Sequence, residues 1–446
     1  MTQDDLRRAL ARSRAPRYTS YPPANRFGPA IGPADTAEWL ARVPAGDAVS
    51  LYVHLPFCRR LCWFCACRTQ GTRSEGPLIR YLDHLETEIA LVRASLPDGV
   101  GVSQLHLGGG TPTLLSPALL TRLGEMLRAF PIAEAREVSV EIDPCEFGPE
   151  RLEALLSMGL TRGSLGVQDF DPVVQRAIGR FQDFEVTQRA MRLLREAGIG
   201  SVNMDLLFGL PHQSPAKLGA TVDQVLDLGP DRIALYGYAH VPWMARRQNL
   251  ICEQHLPDAE ERLDLEALAR ERLTGAGYVA IGIDHYALPG DSMANAARAG
   301  TLRRNFQGYT TDTARVLIGM GASAISRYPE GYAQNVAATG AWQEMLGRES
   351  LPTARGFRLG PEERAIGAII EGLMCEGAAD IDAQCRAQGL DPAPILARAQ
   401  RVLKDLPGAA VEDQGRIRLA SFAYARPIAA GIEDLSTSET MFSRAV

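Results

Sequence analysis

From about residue 48 the chain repeats one pattern. A short apolar run ends in polar or glycine-rich residues, and a longer segment with apolar residues at helical spacing follows. The β-like runs are Val49–Val53, Gln104–Leu107, Val138–Ile142, Gly163–Val167, Ser201–Leu207 and Arg232–Tyr238. The helical segments are Pro77–Ala94, Pro117–Phe130, Pro149–Met158, Phe184–Ala197, Pro215–Leu228 and Asp258–Ala276. In the first of these, Tyr81, Leu82, Leu85, Ile89 and Val92 recur at helical spacing. Several begin with Ser or Asp before Pro and several end at Gly, the usual helix starts and stops. Six β-α units in succession predict a parallel sheet with right-handed crossovers. The expected fold is α/β, an incomplete (β/α)6 barrel, with a full eight-fold barrel as the alternative.

In either barrel the reactive face is the carboxyl end of the strands. Each predicted strand delivers polar or small residues there: a cysteine loop, Gly108-Gly-Gly-Thr111, Glu141-Ile-Asp143, Gln168-Asp169, Asp205 and Tyr238-Ala-His240. Six polar ends on one rim are hard to explain as packing.

Outside the repeat the pattern changes. Residues 1–35 carry Arg17-Tyr-Thr-Ser-Tyr-Pro22 and little periodicity, which predicts an extended arm docked on the surface rather than a frayed terminus. After Tyr278, residues 282–289, 304–311 and 319–326 read as loops. Residues 361–405 read as helices and 410–419 as a hairpin, a winged-helix-like arrangement. The expected division is an arm over 1–35, a barrel with its loop extension over 36–345, and a mainly helical C-terminal domain over 346–446.

Composition narrows the class. At 446 residues, 46% hydrophobic and 22% charged, the chain is ordinary for a globular protein with more than one domain. A formal charge of −6 argues against a nucleic-acid partner. No apolar run suits a bilayer and no signal core is apparent, so a cytoplasmic protein with no membrane partner is expected. Eight cysteines in this length are not a disulfide framework and suit a reducing compartment. A monomer is expected.

The chemistry concentrates in Cys58-x3-Cys62-x2-Cys65-x-Cys67, directly after the first strand. Zinc is one candidate, but structural zinc sites draw paired ligands from two places, and no second C-x2-C pair exists. An iron–sulfur cluster held by three cysteines fits better, because its fourth iron stays open to another ligand. Glu141 and Asp205 could accept hydrogen bonds from a ligand, and Arg180 could grip a carboxylate bidentately. The three glycines of 108–110 carry no Cβ, so a ligand can approach the backbone.

The cysteine spacing resembles that of radical S-adenosylmethionine (SAM) enzymes. Arg17–Pro22, the cysteine loop, Gly108-Gly-Gly-Thr-Pro-Thr113, Gly166-Val-Gln-Asp-Phe170, Asn305-Phe-Gln-Gly-Tyr-Thr-Thr311 and Phe442-Ser-Arg444 resemble the oxygen-independent coproporphyrinogen III oxidase family within that superfamily. The resemblance implies a [4Fe-4S] cluster on Cys58, Cys62 and Cys65, and two SAM molecules. Tyr52, Gly109, Glu141 and Ile325 match positions around the SAM on the cluster. Phe64, Gly110, Thr111, Gln168, Arg180, Asp205 and Ala239 match positions around the second. Cys67 matches an extra cysteine that is not a ligand; it and Tyr18 are the catalytic candidates. The implied reaction decarboxylates two propionates of coproporphyrinogen III to vinyls, giving protoporphyrinogen IX in haem biosynthesis. A 5′-deoxyadenosyl radical takes a hydrogen from the propionate β-carbon, and the substrate radical loses carbon dioxide and one electron. An electron donor for the cluster and an unidentified acceptor are therefore implied partners. Arg17, Arg303, Arg304 and Arg327 are candidates for holding propionates. The alternatives within the same scaffold are a haem-degrading methyltransferase and a haem chaperone.

Overall fold

The computed structural model describes Tyr18 and residues 21–434. Six strands, β1 (Ala48–Leu55), β2 (Gly101–Gly109), β3 (Ile132–Ile142), β4 (Arg162–Gln168), β5 (Ser201–Phe208) and β6 (Arg232–Gly237), lie side by side in chain order and all parallel. Helices Gly76–Ser95, Pro117–Leu127, Pro149–Ser157, Phe184–Glu196, Pro215–Leu228 and Ala259–Gly275 alternate with them. β1 is buried at every residue but its first, as a strand covered on both faces must be. Local chemistry sets several helix ends. Ser214 accepts the Lys217 N–H, Asp258 forms a capping box with Glu261, and Gly229 closes its helix at φ 63°.

The barrel is open, as expected, because β1 and β6 do not pair with each other. Additional strands extend the sheet to twelve. Leu317–Met320 lies parallel beside β1, followed by antiparallel Ile325–Tyr328, Gly331–Asn335 and Thr353–Arg358. At the other edge His285–Ala287 runs antiparallel beside β6, and Val279–Ile281 runs antiparallel beside it in turn. The stretches expected as loops at 282–289, 304–311 and 319–326 thus contain strands, including the hairpin Arg303–Asn305 with Gly308–Thr310. Their small residues serve close packing: a Cβ on Gly319 would sit 2.4 Å from the Ile325 carbonyl oxygen, and one on Gly282 would sit 2.0 Å from the Tyr309 hydroxyl. Such short strands take their pairing from neighbours and show no period of their own.

One buried carboxyl ties this extension to the barrel. Glu88, on the first barrel helix, accepts hydrogen bonds from the Gly321 N–H, Asn335 Nδ2 and Trp342 Nε1 at 2.8, 2.7 and 3.0 Å. Burial nonetheless pushes its carboxyl from the usual 4.5 up to about 7. The folded value lies above the unfolded one, so this group's contribution to stability is full below about 4.5 and is lost as pH rises through about 7. The thermal midpoint of the unaltered protein should fall across that window relative to Glu88→Gln. Glu88→Leu should cost about 3 kcal/mol or more at any pH, because three donors lose their acceptor. Thermal unfolding across that pH window checks the first statement, and chemical denaturation of the variants the second.

The C-terminal residues build a second core. Helices Pro361–Glu376, Ile381–Ala387, Ala393–Asp405 and Ala425–Glu433 surround a three-stranded sheet of Ala378–Asp380, Arg416–Leu419 and Ala410–Asp413. Ile366, Ile369, Ile370, Leu373, Ile417 and Ile428 pack inside it, together with Tyr18 and Tyr21 of the arm. Glu433 accepts the Tyr18 hydroxyl at 2.7 Å and pairs with Arg26 at 3.1 Å. The described part of the arm is therefore held on a definite surface, although Arg17 and the Phe442–Arg444 motif lie outside the described residues. No helix among the described residues is long and apolar enough to cross a membrane.

Candidate functional site

The cysteine loop leaves β1 at the carboxyl rim and is stitched to the glycine segment that leaves β2. The Gly110 N–H donates to the Leu55 carbonyl at 2.9 Å, and the Thr111 N–H to the Phe57 carbonyl at 2.8 Å. A Cβ on Gly110 would meet the Phe57 carbonyl oxygen at 2.5 Å, and one on Gly109, at φ +108°, the His54 ring at 2.4 Å. Gly110 is therefore required by the close approach of the two backbones, and Gly109 by its left-handed φ and the His54 ring against it.

Cys58, Cys62 and Cys65 are half-buried, and no cysteine of the chain is in a disulfide. Arg180 Nη1 lies 3.6 Å from the Cys62 sulfur as a donor, and the Cys67 N–H donates to the Cys65 sulfur at 3.4 Å. The hydrogen bond from Cys67 holds the Cys65 thiol below its usual value, whereas burial pushes Cys58 up to about 11. Three thiols in one loop, with donors already aimed at two of the sulfurs, fit an iron–sulfur cluster, whose properties depend on such bonds. Cys67 stands behind Cys65 as a donor.

Around β1 to β3 a first polar set forms. The Arg68 carbonyl can only accept, so His54 Nε2 donates to it at 3.2 Å and Nδ1 accepts the Tyr52 hydroxyl at 2.8 Å. Glu141 accepts the Gly109 N–H at 2.9 Å and stands 3.5 Å from His106 Nε2. Burial raises the Glu141 carboxyl, but His106, the Gly109 N–H and His54 outweigh it and the net shift is downward. Tyr52 meets Phe306 edge-on with ring centroids 5.4 Å apart. Ile325 joins this set through Gly319, the register partner of Tyr52.

A second set lies along β4 to β6. Asp205 accepts Asn203 Nδ2 at 2.7 Å and the Ser164 hydroxyl at 3.1 Å, and burial pushes its carboxyl up to about 6. Arg180 donates to the Gly166 carbonyl at 2.7 Å and to Gln182, and Gln168 turns at φ +72°. Gln248 Nε2 bridges the carbonyls of Phe64 and Ala239 at 2.7 and 3.0 Å. Tyr18 belongs to neither set, since its ring is in the C-terminal core. His54, His106, Gln182 and Gln248 were missed in the sequence. The first two sit on the same strand face as Tyr52 or next to the glycines, an alternation that could have revealed them; no local signal marks Gln248.

An open six-stranded parallel barrel with a three-cysteine loop after its first strand defines a radical SAM protein. Residues 52–225 match the radical SAM superfamily. The oxygen-independent coproporphyrinogen III oxidase of Paracoccus denitrificans strain Pd 1222 is 53% identical over 392 residues, 87% of each chain. That of Bradyrhizobium diazoefficiens is 43% identical over 447 residues, 99% of each chain. The solved coproporphyrinogen III oxidase of Escherichia coli, a radical SAM enzyme, superposes with a TM-score of 0.87 at 38% identity, covering 93% of this chain and 96% of that one. The chain belongs to the oxygen-independent coproporphyrinogen III oxidase family.

Proposed function

We propose that this chain carries out the oxygen-independent oxidative decarboxylation of two propionates of coproporphyrinogen III to vinyls, yielding protoporphyrinogen IX. The observation that carries the reading is the pair of polar sets flanking one cysteine loop on the carboxyl rim. Cys58, Cys62 and Cys65 would hold a [4Fe-4S] cluster, which supplies the electron that cleaves SAM. Tyr52, Gly109, Glu141 and Ile325 would bind one SAM, and Glu141 keeps its carboxylate charged there to accept from an amine or a ribose. Phe64, Gly110, Thr111, Gln168, Arg180, Asp205 and Ala239 would hold a second. Cys67 would serve as a donor to Cys65, and Tyr18 would fix the arm rather than touch reacting atoms. The partners are an electron donor and an electron acceptor; a cytoplasmic monomer fits this chemistry.

The test is anaerobic incubation of the reconstituted protein with coproporphyrinogen III, SAM and a reductant. Protoporphyrinogen IX should form, with 5′-deoxyadenosine released at each decarboxylation. Methylation and opening of haem, or tight haem binding without turnover, would replace this reading by one of the alternatives.

A further inference from the structure

Between the edge strands of the large sheet and helix Pro361–Glu376 lies an open cavity of about 360 Å³. Its described lining gathers Arg304, Arg315, Arg327 and Arg364 beside the rings of Tyr18 and Tyr21. Arg315 and Arg327 make no side-chain hydrogen bond or ion pair with any described residue. Arg304 is only 5% exposed, and its Nη1 has no hydrogen-bond partner among the described residues, although Asp284 lies 4.0 Å away. Two carboxylates also line the wall, and both are engaged. Glu363 accepts the Gly360 N–H at 3.1 Å; Glu371 accepts the Arg304 N–H at 3.3 Å and stands 3.7 Å from Arg303. A surplus of cations with free donors, in a protein of net charge −6, is a receptor for anions.

The cavity also points at the site. A smaller adjoining cavity shares Arg304, Arg327 and Tyr332 with it and is lined in addition by Phe306, the ring that meets Tyr52. Along the strand Ile325–Tyr328, Ser326 and Tyr328 are buried while Ile325 and Arg327 are half-buried on the other face. Residues two apart in a strand are separated by about 7 Å. One strand therefore carries a SAM-site candidate and a free guanidinium at a spacing that suits one edge of a tetrapyrrole. The volume admits such an edge, not the whole macrocycle.

We propose that Arg315 and Arg327, with Arg304 and Arg364 completing the wall, bind carboxylates of the tetrapyrrole at this cavity. They hold the arms that remain carboxylates while another propionate lies toward Tyr52. Tyr18 and Tyr21 line the apolar side, so docking of the arm completes the receptor. This rests on the decarboxylase reading above.

The probe is coproporphyrin III, the stable fluorescent tetracarboxylate, titrated anaerobically into the full chain. Its tetramethyl ester, which has the same ring without charge, is the comparison. Arg315 is exposed and Arg327 half-buried, so the double variant R315Q/R327Q should fold. We expect it to weaken coproporphyrin III binding by about tenfold to a hundredfold, the effect of losing charged hydrogen bonds. Ester binding and 5′-deoxyadenosine formed without substrate should stay unchanged. The exposed pair R189Q/R192Q removes the same charge elsewhere and should change nothing. Unaltered affinity in R315Q/R327Q, or an equal loss in R189Q/R192Q, overturns the proposal. An unaltered protein that decarboxylates while R315Q/R327Q binds normally sinks the receptor alone; one that neither binds nor decarboxylates sinks the functional reading and the receptor with it.

Discussion

Alanine at Cys58, Cys62 or Cys65 is expected to leave the reconstituted protein without bound iron and without SAM cleavage, whereas Cys67→Ala keeps both. Each of the three sulfurs is half-buried in one loop, and a cubane that loses one of its three protein ligands is left with two. Cys67 is placed differently. Its N–H donates to the Cys65 sulfur, so it is expected to support Cys65 rather than replace it. Its loss removes a donor and should alter the cluster's potential rather than its presence. Iron and sulfide analysis with the visible charge-transfer band reads occupancy, and 5′-deoxyadenosine reads cleavage. Retention of iron in Cys58→Ala with loss in Cys67→Ala would reverse the assignment.

Gly110→Ala, a change of one methyl group, should be nearly as damaging. Two backbone hydrogen bonds fasten residues 110 and 111 to Leu55 and Phe57 at the start of the cysteine loop. The new Cβ would stand 2.5 Å from the Phe57 carbonyl and 2.8 Å from the Leu55 carbonyl, both backbone atoms that cannot swing aside. Relief requires the loop and the glycine segment to separate. Overpacking of this kind costs about 1–3 kcal/mol, and here it acts on the segment that presents Cys58. Iron uptake and SAM cleavage should both fall sharply. Gly148→Ala is the comparison, because a Cβ there meets open space at an ordinary φ; it should behave as the unaltered protein. Full iron content and cleavage in Gly110→Ala would show that the junction is slack.

Much of this site is legible in the sequence. The alternation of apolar runs and amphipathic segments located all six barrel strands and their helices, because a parallel βα unit writes both of its periods into a contiguous stretch, although the third strand begins at Ile132, six residues before the stretch read. The C-x3-C-x2-C spacing and the polar residue at each strand end likewise lie within single loops. The strands added beyond β1 did not declare themselves. Leu317–Met320 and Ile325–Tyr328 are four residues each, and they gain their ladders only from β1, from each other and from Gly331–Asn335.

The chain by itself therefore determined the barrel, the three-cysteine loop and the rim on which chemistry can occur, since each depends on residues near one another in sequence. Tertiary structure alone decided which polar residues stand together. Gln248 reaches Phe64 across 184 positions, and Glu433 receives Tyr18 across 415. It also decided why Gly110 is there: the two backbones that hold the thiol loop come so close that no Cβ fits between them. And it gathered Arg304, Arg315, Arg327 and Arg364 on one wall. No local pattern encodes such a meeting, because a charged side chain on a short strand or helix reads as solvated surface until the fold places others opposite it.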